Sequence, residues 1–202
     1  ADPNATKRWL AHFRAKGFAA VATDCKSRKG IADFQPAVRS VLKEKIERNA
    51  ARGMNKPLRV MIVGIPNVGK STLMNLLVGE HISIATFKAQ TTRHRIMGIV
   101  NTEESQIVFS DTPGVLKPNY KLQESMLAFS ESALVDADVL LYMTDVVEKA
   151  DKNAEFLEKV AKMKVPVLVI INKIDLTDEE NLVRLVESWH EKLPNAEIIP
   201  IS

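Results

Sequence analysis

The stretch LRVMIVGIPNVGKSTLMNLLV (Leu58–Val78) decides the fold of this 202-residue chain. Its first seven residues have the apolar run of a buried strand, and Lys70–Val78 has the composition of a helix. Between them, GIPNVGKST (Gly64–Thr72) matches G-x-x-x-x-G-K-[ST], a pattern that wraps phosphate when it joins a strand to a helix. The flanks are those that the pattern requires, which disfavours an ordinary glycine-rich turn.

Strands and helices alternate from this point to the last residue. We predict strands at HRIMGIV, QIVFSD, DVLLYMTD, VPVLVIIN and AEIIPIS, and helices over Lys121–Val135, Asp151–Met163 and Glu179–Lys192. Such alternation predicts an α/β fold with a doubly wound, mostly parallel sheet and helices on both faces. Ligands of these folds bind at the carboxyl ends of the strands, where the polar motifs of this chain also lie.

Two motifs predict a nucleotide-phosphate site with Mg²⁺. The loop residues expected to bind the nucleotide are Asn67, Val68, Gly69, Lys70, Ser71 and Thr72. We expect Lys70 to reach the β- and γ-phosphates and the Ser71 hydroxyl to ligate Mg²⁺. Downstream, FSDTPG places Asp111 at a strand end, where it can hold the magnesium water shell, and Gly114, whose N–H can contact a γ-phosphate. The D-x-x-G pattern alone is a common turn sequence. It indicates a nucleotide site only at a strand end that follows a phosphate loop.

A third motif predicts the base. VLVIINKID places Asn172, Lys173 and Asp175 just past a buried strand. The Asp175 carboxylate can accept hydrogen bonds from the N1 and exocyclic amine of guanine, whereas adenine would leave it unpaired. Asn172 suits the base N7 and loop bracing, and the Lys173 stem suits the ring face. A polar loop that caps the next helix is the alternative, and an ATPase is disfavoured by Asp175.

With these motifs in order, the chain resembles two families of GTPases. From about residue 79 to 202, HISIATFKAQTTRHRIMGIV, VFSDTPGVLKPNYKLQESM and INKIDL resemble the G domain of Era GTPases. Residues 1 to about 67 resemble circularly permuted ribosome-assembly GTPases of the YlqF/RbgA type, whose base motif precedes the phosphate loop. We interpret the chain as a chimera that shares the phosphate-loop region, and we favour an engineered origin over a natural one.

The resemblance implies an unusual domain organisation. Residues 1–56 correspond to the C-terminal part of a permuted G domain, and residues 57–202 to an Era-like G domain without its last helix and KH domain. The helix Ile31–Arg52 is then a circularly permuted closing helix on the sheet. Thr6–Thr23 and Glu179–Ile201 are two copies of the preceding helix and strand. The spare copy could pair at a sheet edge or swap into a homodimer.

The resemblance also implies roles that the motifs alone do not. In KAQTTRHRI, Thr92 would bind Mg²⁺ and the γ-phosphate, with Thr91 the weaker candidate, and Asn67 would bind a catalytic K⁺. Lys70, Thr92 and Asn67 are thus the expected catalytic residues, and Val115 stands where related enzymes place a water-orienting Gln, which predicts slow hydrolysis. Ser202 matches the start of the loop that approaches the guanine oxygen, and Cys25 occupies that place in the N-terminal copy.

Composition and charge limit the cellular locations and the kinds of partner that we expect for this chain. The single Cys fits a cytoplasmic protein, no apolar run is long enough to span a membrane, and the missing initiator Met suggests a fragment. Residues 1–60 carry 14 Lys/Arg against 5 Asp/Glu, a net of +9, which either marks a polyanion partner or a solvated helix face. Both families imply ribosomal RNA or a ribosomal subunit as partner. The other functions to weigh are a GTP-switched RNA-binding module and a fold-test protein that binds nucleotide weakly.

Overall fold

The computed structural model describes most of the chain after residue 55 and isolated positions before it. The described residues are 7, 8, 11, 15, 43, 46–48, 51, 56–85, 92, 94–101, 106–115, 130, 134–147 and 154–201. Cys25, Thr91 and Ser202 lie outside these residues, as does most of the predicted helix and strand within Thr6–Thr23. In that segment and in the predicted helices Ile31–Arg52 and Lys121–Val135, only the positions named above are described, and all of these are helical.

Six strands and three α-helices make up the domain within the described residues. In chain order they are β1 (Leu58–Gly64), α1 (Lys70–Val78), β2 (Ile96–Asn101), β3 (Gln106–Asp111), β4 (Val139–Asp145), α2 (Ala154–Ala161), β5 (Val167–Asn172), α3 (Glu179–Lys192) and β6 (Glu197–Pro200). A short 3-10 helix, Ile174–Leu176, joins β5 to α3. The predicted strands and the predicted helices that correspond to α1, α2 and α3 are confirmed, and within the described residues their ends differ by up to two residues.

The strands form one sheet in the order β2-β3-β1-β4-β5-β6. Strand β1 runs parallel to β3 and β4, and β4, β5 and β6 continue the parallel pairing, whereas β2 is antiparallel to β3. All seven residues of β4 are buried, as expected for a central strand covered on both faces. The predicted α/β class with a doubly wound, mostly parallel sheet is therefore confirmed.

Each face of the sheet has its own apolar cluster. On the first face, Leu73, Met74 and Leu77 of α1 pack against residues of β1, β3, β4, β5 and β6. On the second face, α2 contributes Phe156 and Val160, and α3 contributes Leu182, Val186 and Trp189. The two clusters fix the helices on opposite faces of the sheet. Because β1, β3, β4, β5 and β6 are parallel, their carboxyl ends lie at one edge.

Two observations bear on the ends of the chain. Strand β6 pairs in parallel with β5, so the strand predicted within Glu179–Ile201 lies in the sheet. Ile46, at a helical position, packs against the apolar cluster on the face of the sheet that α1 covers, called here the α1-side cluster.

At the start of β6, burial raises the pKa of the Glu197 carboxyl from its ordinary value of 4.5. Among the described residues, no helix has the length and apolarity needed to cross a membrane.

Left-handed glycines lie at both ends of α1. Gly69 precedes the helix with φ 95° and Gly79 follows it with φ 86°. A Cβ on Gly69 would lie 2.7 Å from the Asn172 Nδ2 atom, whereas a Cβ on Gly79 would meet nothing within 4 Å. The two glycines therefore share a left-handed backbone conformation that is strained for any residue with a side chain, and they differ in the space around them.

We expect Gly69→Ala to destabilise the fold more than Gly79→Ala. Both variants meet the left-handed backbone penalty of about 1–2 kcal/mol. Gly69→Ala must also displace the Asn172 side chain from its hydrogen bonds, which costs about 1 kcal/mol more. Urea denaturation of the two variants measures this difference, with Gly79→Ala as the matched control. Equal losses would show that Asn172 yields without cost.

Candidate nucleotide-binding site

The loop between β1 and α1 turns sharply against β4. Gly64 has φ 141° and Asn67 has φ 64°. A Cβ on Gly64 would lie 1.9 Å from the Met143 carbonyl oxygen, so no side chain fits there. Gly69 at the N-cap of α1 provides no side-chain cap, and within the described ranges the first turn of the helix follows directly on the loop. A helix terminus of this kind, behind a glycine loop, favours an anion.

Lys70 folds back across the loop that precedes it. Its side chain is buried, and Nζ donates to the carbonyl oxygens of Gly64 at 3.1 Å and Ile65 at 2.6 Å. Both acceptors belong to the loop, so the ammonium group is held at the concave side of the turn. A cation at this place can neutralise phosphate charge as the sequence predicts.

The three predicted magnesium ligands meet at one point. The Ser71 hydroxyl donates to Asp111 Oδ2 at 2.7 Å, and the Thr92 hydroxyl donates to the same oxygen at 3.4 Å. The two hydroxyl oxygens are 3.3 Å apart. Three oxygen groups from α1, β3 and the segment before β2 thus form a cluster of the kind that Mg²⁺ prefers.

The Asp111 carboxylate has a spare acceptor in this cluster. Asp111 is fully buried, and its Oδ1 is the sole buried side-chain oxygen or nitrogen without a hydrogen-bond partner within the described ranges. A buried carboxylate oxygen left unpaired is costly. The residues present therefore fit a magnesium ion, because a metal-bound water would give Oδ1 the partner it lacks.

The segment after β3 lies directly on the phosphate loop. The Val115 N–H donates to the Gly64 carbonyl oxygen at 2.9 Å, and a Cβ on Gly114 would lie 2.6 Å from Pro66 Cγ. The D-x-x-G glycine is thus needed for close approach. Val115 is 2% exposed and packs in the cluster under α2 and α3, so an apolar side chain that points into the core occupies this position.

The residues after β5 reach the other side of the loop. Asn172 Nδ2 donates to the Val68 carbonyl oxygen at 2.8 Å, and Asn172 Oδ1 accepts the Lys173 N–H. Lys173 has a left-handed φ of 61°, and Asp175 is exposed in the short 3-10 helix. The predicted loop-bracing role of Asn172 agrees with this geometry, and Ser202 lies outside the described residues.

The Lys173 side chain has a partner that the motifs do not reveal. Its Nζ lies 2.6 Å from Oδ2 of Asp145, whose side chain is 7% exposed, and the Val147 N–H donates to Oδ1 of the same carboxylate. Asp145 ends β4, next to β5 in the sheet. Its place at a strand's carboxyl end was the signal that could have identified it.

Two further polar residues lie near the cluster of Ser71, Thr92 and Asp111 and were not predicted from the sequence. Asn75 and Ser83 are both buried, and the Ser83 hydroxyl donates to Asp111 Oδ2 at 2.7 Å. Neither belongs to a recognised motif. The signal for Asn75 was its position on α1 four residues after Ser71, inside an otherwise apolar run.

Comparisons with known proteins place these features in one family. The family model described as 50S ribosome-binding GTPase matches residues 59–173. GTPase Era of Staphylococcus haemolyticus (strain JCSC1435) is 40% identical over 144 residues, which are 71% of this chain and 48% of that protein. The chain therefore spans about half the length of this curated relative.

Solved structures agree with this assignment. Era in complex with MgGDPNP and nucleotides 1506–1542 of 16S ribosomal RNA has a TM-score of 0.66 and 43% identity, over 73% of this chain and 51% of that one. Aquifex aeolicus Era bound to GDP·AlF4⁻ gives 0.65 and 42%, over 71% and 50%. NFeoB of S. thermophilus, at 20% identity and a TM-score of 0.52 over 72% and 54%, shares the fold alone.

The family match and the site geometry concern the same part of the chain. Residues 59–173 hold the phosphate loop, the magnesium cluster and two of the three base-motif residues. The chain belongs to the family of 50S ribosome-binding GTPases and carries an Era-like G domain.

Proposed function

We propose that this chain binds GTP and GDP with Mg²⁺ and hydrolyses GTP. The observation that carries the proposal is the meeting of Ser71, Thr92 and Asp111 around a buried, unpartnered carboxylate oxygen. This cluster adjoins the N-terminus of α1 and the buried Lys70 ammonium. The same edge of the sheet therefore offers a metal site, an anion site and a base loop.

Each phosphate-binding residue has a proposed task. The backbone N–H groups from Asn67 to Thr72 hold the phosphates, and Lys70 neutralises charge on the β- and γ-phosphates. Ser71 and Thr92 ligate Mg²⁺, Asp111 accepts from a metal-bound water, and the Gly114 N–H contacts the γ-phosphate. Bound magnesium supplies charge stabilisation for phosphoryl transfer.

The base loop supports guanine over adenine. Asn172 braces the phosphate loop through the Val68 carbonyl oxygen, and Asp145 holds the Lys173 ammonium group. Asp175, exposed in the following turn, accepts from the two guanine donors in our proposal. Ser202 would complete the loop over the guanine oxygen.

We propose that intrinsic hydrolysis is slow and depends on potassium. Val115 is buried in the core, and an apolar group cannot orient an attacking water. Asn67 is an exposed, left-handed residue of the phosphate loop, where its side chain could bind K⁺. The cation would then supply part of the charge stabilisation that other GTPases take from an arginine.

Ribosomal RNA or a ribosomal subunit is the proposed partner, and the cytoplasm the proposed location. The Era structure described above contains 16S ribosomal RNA, and the net charge of +9 over residues 1–60 suits a polyanion. The alternative of a GTP-switched RNA-binding module is not favoured by the family match or by the similar structures.

We also propose that Ile31–Arg52 closes the sheet as a permuted helix. Helix α1 packs on β1, β2 and β3, whereas residues of β5 and β6 on the same face are fully buried and belong to the cluster that Ile46 contacts. That contact supports a cover formed by the segment around Ile46. The chimeric origin of residues 1–56 rests on sequence resemblance alone, as does a homodimer through the spare helix–strand copy.

Fluorescent GDP, competed by unlabelled GDP or ATP, tests the proposed ligand first. We expect competition by GDP and not by ATP. Asp175→Asn should weaken GDP binding about 100-fold or more, because it removes the acceptor of both guanine donors. Asp178→Asn is the matched control, since Asp178 caps α3 and Asn caps a helix equally well. Weak binding by the unaltered chain would favour the fold-test alternative.

Hydrolysis measured in KCl and in NaCl at equal ionic strength tests the potassium site. We expect faster turnover in KCl, and Asn67→Ala should abolish the difference while GDP affinity changes little. Equal rates in the two salts would contradict the potassium proposal and leave nucleotide binding untouched.

Ile46→Ala tests the closing helix. Truncating a half-buried Ile in contact with the core should cost about 1–3 kcal/mol, which lowers the melting temperature by several degrees for a chain of this size. Lys43→Ala, at an exposed helical position nearby, is the control and should change the melting temperature by less than a degree. Equal melting temperatures for the two variants would contradict the proposal.

A further inference from the structure

A buried serine outside every motif contacts the proposed magnesium carboxylate. Ser83 is 4% exposed, and its hydroxyl donates to Asp111 Oδ2 at 2.7 Å, the same length as the bond from Ser71. Oδ2 thus receives two short hydrogen bonds from two separate segments. Oδ1 receives none within the described ranges. Ser83 and Ser71 together therefore hold Oδ2 of the Asp111 carboxylate.

One side chain holds the backbone of Ser83. Asn75 Oδ1 accepts the N–H groups of Ile82 at 3.0 Å and Ser83 at 2.8 Å, and Asn75 Nδ2 donates to the Ser83 carbonyl oxygen at 2.7 Å. Asn75 is 7% exposed, so these three bonds are shielded from water. Both backbone polar groups of Ser83 are therefore satisfied by a single amide.

The position of Asn75 links this clamp to the metal ligand. Asn75 follows Ser71 by four residues on α1, which places both side chains on one face of the helix. The corner is also tightly packed, because a Cβ on Gly98 of β2 would lie 2.5 Å from side-chain atoms of Ile82 and Val78. A rigid helix therefore fixes Ser71 directly and Ser83 through Asn75.

We propose that Ser83 is a positioning residue for the magnesium carboxylate, and that Asn75 holds Ser83 in place. The two short hydrogen bonds from Ser71 and Ser83, with the longer one from Thr92, hold Oδ2 and restrain rotation of the Asp111 carboxylate. Oδ1 is then left to accept from the metal's water shell. Loss of the Ser83 donor frees the carboxylate to rotate and weakens its hold on that shell. This inference rests on the proposed magnesium-dependent nucleotide site.

The test measures the release of fluorescent GDP as a function of Mg²⁺ concentration. In Ser83→Ala, the Mg²⁺ concentration that half-maximally slows release should rise about tenfold, the effect of one hydrogen bond to a charged group. GDP affinity without Mg²⁺ should stay within about twofold, because the hydrogen bonds of Ser83 among the described residues go to Asn75 and Asp111 and not to residues 67–72. An unchanged or lowered Mg²⁺ requirement overturns the inference.

Matched variants separate the hydroxyl from general effects of mutation. Ser110→Ala removes the hydroxyl of the neighbouring buried serine, which accepts from Arg95 Nε, and should not change the Mg²⁺ requirement. Ser83→Cys keeps the volume but offers a weak donor, so it should shift the requirement as Ser83→Ala does. Ser83→Thr keeps the hydroxyl and should lie near the unaltered chain. An equal shift in all three Ser83 variants overturns the inference.

The unaltered chain distinguishes this inference from the function on which it rests. If GDP release from it does not respond to Mg²⁺, the proposed metal site is wrong, and the Ser83 inference fails with it. If release responds in the unaltered chain and in Ser83→Ala with the same midpoint, the metal site stands and the Ser83 inference alone is wrong.

Discussion

The close approach of backbone segments around the phosphate loop is the constraint on which the site depends. Gly64 lies so near the Met143 carbonyl that a Cβ would overlap it at 1.9 Å, and Gly114 meets Pro66 in the same way at 2.6 Å. Gly69 adds a third narrow contact, with Asn172 at 2.7 Å. Side chains at these positions would separate the strands from the loop. The three glycines therefore let β4, Pro66 and the Asn172 side chain approach the motif backbones closely.

A single buried carboxylate then ties the elements together. Asp111 ends β3 and receives hydroxyl donors from Ser71, Ser83 and Thr92. Its Oδ1 has no hydrogen-bond partner among the residues that the structure describes. Burial makes each donor matter, because a carboxylate in a dry site is stabilised only by the partners it is given. The same arrangement that costs stability without a ligand prepares the site for a hydrated cation.

The apolar cluster on the α1 face of the sheet draws on residues from distant parts of the sequence. Strand β6 follows α3 and pairs with β5. The cluster beneath it is also contacted by Ile46, which lies more than 100 residues earlier in the chain. Apolar burial is not directional, so an apolar residue from any part of the chain can pack against this face of the sheet.

The sequence by itself determined the sheet class, the strand and helix order after residue 57 and the residues of the three motifs, because each depends on local periodicity or fixed spacing. Only the tertiary structure showed that Asp145 holds Lys173, that Ser83 reaches Asp111 and that Ile46 joins the α1-side cluster. The first two contacts each join residues 28 positions apart, and no local pattern records which distant side chains the packing of sheet and helices brings together.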